Sequence, residues 1–263
     1  MKVFLLLVVA SLFNGIALAD ATLVFVIPSV TGKDQVVNYR IKDNMLRIDQ
    51  ANSKQYKLYD NTQQALINID ENTGNISRID SDYLNSRVAV LNQQRLEKVA
   101  EVEQQLKVKL KSKSSEEKRI AQDLLAQIKY PEFYGAHTHL SVQNTKQTHT
   151  VKNIKCNVFQ LTRNEQILKQ LCLASQDALK LSDADYATLR GFYHFNYTVF
   201  TRLRIAMGKT DFMHVDYEKQ NMVGIPIEVL RVTNKDKTPE IVLDKINQNK
   251  LDQLLFNSQN QAK

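Results

Sequence analysis

Between Ala21 and Asp80 the chain alternates short apolar runs with turn-forming residues at intervals of about ten, and this rhythm predicts an antiparallel β-meander. The expected strands are Ala21–Ile27, Gln35–Ile41, Met45–Asp49, Gln55–Tyr59, Ala65–Asp70 and Asn75–Ile79. Between them stand Gly32-Lys33-Asp34, Asp43-Asn44, Ala51-Asn52-Ser53, Asp60-Asn61 and Asn72-Thr73-Gly74, residues that tolerate positive φ or bond their own backbone. In NYRIKDNMLRID apolar and charged residues alternate, so each strand has one dry and one wet face. The dry face needs a cover.

Helices are expected to supply it. From Ser81 to about Ile128 the chain turns to Gln, Glu, Lys, Leu and Ala and holds neither Gly nor Pro. Leu91, Leu96, Val99, Val102, Leu106 and Leu110 recur at helical spacing. Ser114 and Glu117 form a capping-box pattern that starts a second helix, with Ile120, Leu124, Leu125 and Ile128 on its apolar face, and Tyr130-Pro131 ends it. The first helix has a narrow stripe and charged flanks, so a secondary reading is an arm that pairs with a partner. A third helix is expected from Ser182, its cap, to Met207 before Gly208. It is the most aromatic of the three. Strands at Met222–Thr233 and Glu240–Asn247, then Leu251–Phe256, close the chain.

Both cysteines fall in VKNIKCNVFQLTRNEQILKQLCLAS, Val151 to Ser175, which reads as one hairpin. A turn at Arg163-Asn164-Glu165 sets Cys156 directly opposite Cys172, close enough for a disulfide after a small adjustment. A loop of this length makes that link worth about 3 kcal/mol. A hairpin at Leu140–Val142 and Thr148–Ile154 leads into it.

The first nineteen residues, with Lys2, an apolar run from Val3 to Phe13 and small residues at Ala17 and Ala19, predict a signal peptide cleaved after Ala19. The expected location is periplasmic or secreted, where a disulfide persists. Cleavage removes only Lys2 and lowers the formal net charge from +7 to +6. With no linker, low-complexity tract or repeat in view, 20–263 reads as a single α+β domain with a helical insertion at 81–128.

Taken in order, the leader, the meander, the inserted helix pair, NIKCNVFQL, the aromatic helix and the closing GIPIEVLRV and IVLDKINQNKLDQLLFN resemble a family of exported bacterial proteins. That family is similar in layout to the periplasmic lipoprotein-carrier superfamily of LolA and LolB. The resemblance implies a curved, open antiparallel sheet, a half-barrel covered by helices, with acyl chains held between. The long charged insertion and the large aromatics depart from that pattern.

Apolar binding is expected on the aromatic helix, at Tyr186, Leu189, Phe192, Tyr193, Phe200 and Leu203, the same residues reading also as plain core. The implied partner is a lipid or lipidated protein, or an envelope protein docked on the charged insertion. His137, His139 and His149 form a weaker metal candidate. A three-residue turn centred on Asn144 would gather them, whereas a two-residue turn at Asn144-Thr145 would turn His149 away. No cofactor is expected. The chain holds no G-x-S-x-G, H-E-x-x-H, P-loop or dinucleotide glycine pattern and only seven glycines, so a non-catalytic role is expected. Nucleic acid is not an expected partner despite a pI near 9.2, because no basic-aromatic motif is present and export removes the target.

Overall fold

The computed structural model describes residues 20–29, 32–111, 114–130, 140–163, 165–207, 222–233 and 236–257. The expected leader at 1–19 lies outside these residues. Among the described residues, eleven strands form one open antiparallel sheet, accompanied by four helices and a final 3₁₀ turn. The meander gives β1 (Ala21–Ile27), β2 (Gln35–Lys42), β3 (Met45–Gln50), β4 (Gln55–Asp60), β5 (Ala65–Asp70) and β6 (Asn75–Ile79). Then come helices α1 (Ser81–Leu110) and α2 (Ser115–Lys129), followed by β7 (Leu140–Val151), β8 (Ile154–Arg163) and β9 (Gln166–Ala174). A short α3 (Gln176–Leu179) precedes α4 (Asp183–Ala206), and β10 (Ile225–Val232), β11 (Lys237–Gln248) and the 3₁₀ turn Gln253–Phe256 follow.

The strand order is β6-β5-β4-β3-β2-β1-β11-β10-β9-β8-β7, so the last long strand slots in beside the first and joins two meanders into one sheet. Local chemistry fixes the hairpins. Asp43 and Asn44 both adopt positive φ, 48° and 62°, and Lys152 and Asn153 do the same at 46° and 68°. Each pair makes a two-residue turn whose twist matches the strands it joins.

Cross-strand pairing arranges one face of the first meander in rows. Ala21, Ile41, Leu46, Tyr59, Leu66 and Ile79 stand in a line across six strands. This row is apolar throughout, and α4 packs its Leu189, Phe192, Phe195 and Val199 into the same core. Ser182 caps α4 by accepting from the Asp185 amide at 3.0 Å. The opposite face carries a smaller core in which Tyr56, Leu58 and Ile69 are covered by Phe256 of the 3₁₀ turn. Arg47 stacks over the Tyr56 ring at 3.8 Å and donates to the Leu255 carbonyl, tying that turn to β3.

The helix pair covers less of the sheet than its length suggests. Only the first turns of α1, through Leu84 and Val88, join the main core. Further along, α1 pairs with α2: Val99 and Ala121 are buried, and Arg95 donates to the Ile128 and Lys129 carbonyls at 2.7 and 2.8 Å. At about 1.5 Å per residue, the 30 residues of α1 span roughly 45 Å, so most of this hairpin extends beyond the sheet core. The main cover is α4.

Two registers differ from expectation. The β8–β9 turn has two residues rather than three, and a bulge at Leu161/Thr162 shifts the ladder again. Cys172 therefore faces Val158 rather than Cys156. The cysteines occupy neighbouring pairs on one face with Cα atoms 5.4 Å apart, and they are bonded. The expected disulfide forms, through a diagonal contact. The second difference concerns β7, which runs unbroken from Leu140 to Val151 and absorbs Thr145–Gln147 as a bulge in which Lys146 takes φ 59°. The hairpin turn at Asn144 does not form.

Candidate functional site

Beyond the row that α4 covers, the same sheet face changes character from strand to strand. The second row reads Leu23, Tyr39, Ile48, Lys57, Asn68 and Ser77. The third holds Phe25 and Val37 at the β1–β2 side, then Gln50, Gln55, Asp70 and Asn75 toward β6. Apart from Gln50, the face is thus apolar over β1–β3 and polar over β4–β6. A cavity of about 730 Å³ opens across this boundary, with Ile27, Val37, Ile48 and Phe192 among its apolar lining and Lys57, Asn68, Asp70 and Ser77 among its polar lining. That volume falls within the roughly 300–1,000 Å³ of ordinary small-molecule sites.

Phe192 is the hinge between core and cavity. Its ring meets Tyr59 of the covered row at 5.5 Å and Tyr39 of the second row at 6.1 Å, both edge-on, and it also lines the cavity. Burial pushes the Tyr39 and Tyr59 hydroxyls up to about 12, so both stay neutral at any physiological pH. The three rings form one aromatic cluster, of which Phe192 reaches the cavity.

Of the six residues expected to bind an apolar ligand, Phe192 alone lines this cavity. Leu189 is fully buried in the core. Tyr186, Tyr193 and Leu203 are partly buried and packed against that core, Tyr193 with its ring 5.8 Å from Phe192. Phe200 points outward, 45% exposed. Helical spacing found the packed side of α4, and the void lies past its flank, over the sheet. The residues that sequence reasoning missed are Ile27, Val37, Ile48 and Lys57. The signal for Lys57 was present, since in QYKLYD it alternates onto the face of Tyr59.

The metal candidate falls in two parts. His137 and His139 lie outside the described residues. His149 stands opposite Cys156, several residue pairs from Leu140 along one continuous ladder, and its Nε2 is 3.8 Å from the Glu228 carboxylate. Because β7 does not fold back at Asn144, the turn that would have set His149 opposite His139 is not available. Among the described residues no three His, Cys, Asp or Glu side chains converge to hold a metal.

Several charged groups elsewhere are paired. Asp49, on the opposite face, accepts from Arg40 and Arg47. Asp20 takes Lys42 at 2.9 Å and the Leu251 amide at 2.7 Å. Burial alone would raise the Asp20 carboxyl, but these hydrogen bonds outweigh it and hold the group below its ordinary range. Asp185, buried at the start of α4, is shifted the other way: desolvation raises it, against the opposing Ser182 hydrogen bond. Among the described residues no helix is long and apolar enough to cross a membrane. Comparison with protein-family models returns no match, and no curated protein sequence matches the chain.

Proposed function

We propose that this is an exported envelope protein that holds a lipid, a lipidated polypeptide or another apolar group between sheet and helix, without catalysis. The observation that supports this reading is the cavity beside Phe192, large enough for one small ligand and apolar along β1–β3. Such concave sites with a few polar groups are the usual form of a small-molecule pocket. The layout, one open antiparallel sheet with helices against one face, agrees with the resemblance to the periplasmic carrier superfamily of LolA and LolB. Export fits the leader-like first residues and the Cys156–Cys172 bond, which persists in oxidising compartments.

The test is to produce the protein with its leader, recover it from the exported fraction, and subject it to native mass spectrometry and organic extraction. Bound lipid, released by solvent in stoichiometric amount, is the expected result. Protein that emerges empty and takes up no lipid from vesicles contradicts the reading.

A second reading has its own observation. On the extended α1–α2 hairpin, Leu96, Ile120 and Leu124 are 56%, 49% and 46% exposed. Under this reading the hairpin docks an envelope partner through those side chains, and deleting 92–125 abolishes the interaction while the cavity is untouched.

A further inference from the structure

We propose that the ligand is an anionic amphiphile, its oxyanion head paired with Lys57 and its chain lying over Ile48, Val37 and Ile27. This rests on the apolar-ligand reading above and assigns that site its chemical class and polarity.

Position carries the first step. Lys57 stands at the changeover of the second row, with Ile48 opposite it on β3 and Asn68 opposite it on β5. Its chain neighbours Tyr56 and Leu58 are buried on the other side of the sheet, so the lysine is committed to the cavity side. Moving from Lys57 toward β1 the face becomes progressively apolar, and moving toward β6 it stays polar. An amphiphile has the same profile.

Charge carries the second. Among the described residues Lys57 is the one Lys or Arg lining the cavity, and no carboxylate or hydrogen-bond acceptor is paired with its side chain. Several other lysines on or beside the sheet have carboxylate partners: Lys42 has Asp20, Lys152 has Asp244, and Lys169 has Glu240. The two carboxylates at the cavity are engaged elsewhere. Asp49 belongs to Arg40 and Arg47, and Asp70 accepts from Gln55 Nε2 at 3.0 Å and the Asn72 amide at 2.9 Å. Asn68 donates to Ser77 Oγ at 3.2 Å, which leaves the serine proton available to a ligand oxygen beside the ammonium. A cation with a neighbouring hydroxyl donor recognises a carboxylate or a phosphate through charge-assisted hydrogen bonds.

The experiment uses three probes with the same twelve-carbon chain: dodecanoate, dodecyl phosphate and 1-dodecanol, titrated calorimetrically below their aggregation limits into the purified protein and its Lys57→Met variant. Lys57 is exposed and unpaired, so the variant keeps the fold, checked by circular dichroism. At least one anion is expected to bind roughly tenfold to hundredfold tighter than the alcohol, and Lys57→Met removes that preference while the alcohol changes less than about twofold. Whichever anion leads names the lipid class. Equal binding of anions and alcohol, or a preference that survives Lys57→Met, overturns the head-group pairing and leaves the apolar site standing. If none of the three binds, both proposals fall.

Discussion

Gly191 of α4 presses against Asn61 in the β4–β5 turn so closely that a Cβ built on the glycine would sit 2.0 Å from Asn61 Oδ1 and 3.0 Å from the Tyr59 hydroxyl. Asn61 Oδ1 in turn accepts from Tyr59 at 3.3 Å and from Gln64 at 3.2 Å. The missing side chain is what lets the helix settle onto the covered row, and so sets the height of Phe192 one residue later. In an unconstrained helix Gly→Ala would stabilise by roughly 0.5–1 kcal/mol. Here the clash wins: Gly191→Ala is expected to destabilise by about 1–2 kcal/mol, as overpacking does. In an Asn61→Ala background the same substitution should cost far less or become stabilising. Urea unfolding of the four proteins checks this, and additive costs would show that the two residues are not in contact.

The bond between Cys156 and Cys172 closes a loop across a sequence separation of 16. Chain-entropy reasoning values it at about 3 kcal/mol. Unfolding of the Cys156→Ser/Cys172→Ser protein should show that loss, whereas reducing agent added to the double variant should change nothing. Because both cysteines belong to the main core, the double serine variant also carries the cost of two small polar groups there.

Glu240 on β11 joins three strands, accepting from Lys169 of β9 at 2.6 Å and from Arg231 of β10 at 2.8 Å. Burial would raise its carboxyl, but the hydrogen bonds and charges of Lys169 and Arg231 prevail and lower it below the ordinary value of 4.5. A carboxyl lowered on folding binds its proton first in the unfolded chain. Its stabilising contribution is present above that ordinary value and fades as pH falls through the lowered one. Glu240→Gln should therefore cost up to about 1 kcal/mol near neutrality, the scale of a partly exposed pair, and nothing at low pH. Thermal melts of both proteins across pH 3 to 7 should converge at the acid end. A constant gap across that range would mean the charge is not the cause.

Much of this architecture is written locally. The turn pairs Asp43-Asn44 and Lys152-Asn153 accept positive φ, and Ser114 and Ser182 cap their helices, so the expected strands of the first meander and the starts of α2 and α4 fall within a residue of where they form. What escapes a linear reading is whatever depends on a bulge. The two-residue turn and one extra β9 residue, Leu168, opposite Leu161/Thr162 moved the cysteine register, and the residues at Thr145–Gln147 kept β7 running on where a turn was expected. Neither bulge carries a Gly or Pro to announce it. The cavity is illegible for a deeper reason: Ile27, Val37, Ile48 and Lys57 come from four strands, and only the paired register sets them on one face. The aromatic spacing of α4 located the core, where Leu189 is buried, more readily than the void beside it.

The most direct measurement exploits the absence of tryptophan from the chain. An Ile48→Trp variant places a single fluorophore in the cavity, and Leu96→Trp places one on the exposed face of α1 as a control. A fatty acid brominated along its chain quenches tryptophan only on contact. Saturable quenching of I48W, reversed by unlabelled fatty acid, with the control unaffected, is the predicted result. Quenching that is absent, or equal and unsaturable at both positions, would contradict the claim that an apolar chain lies between this sheet and α4.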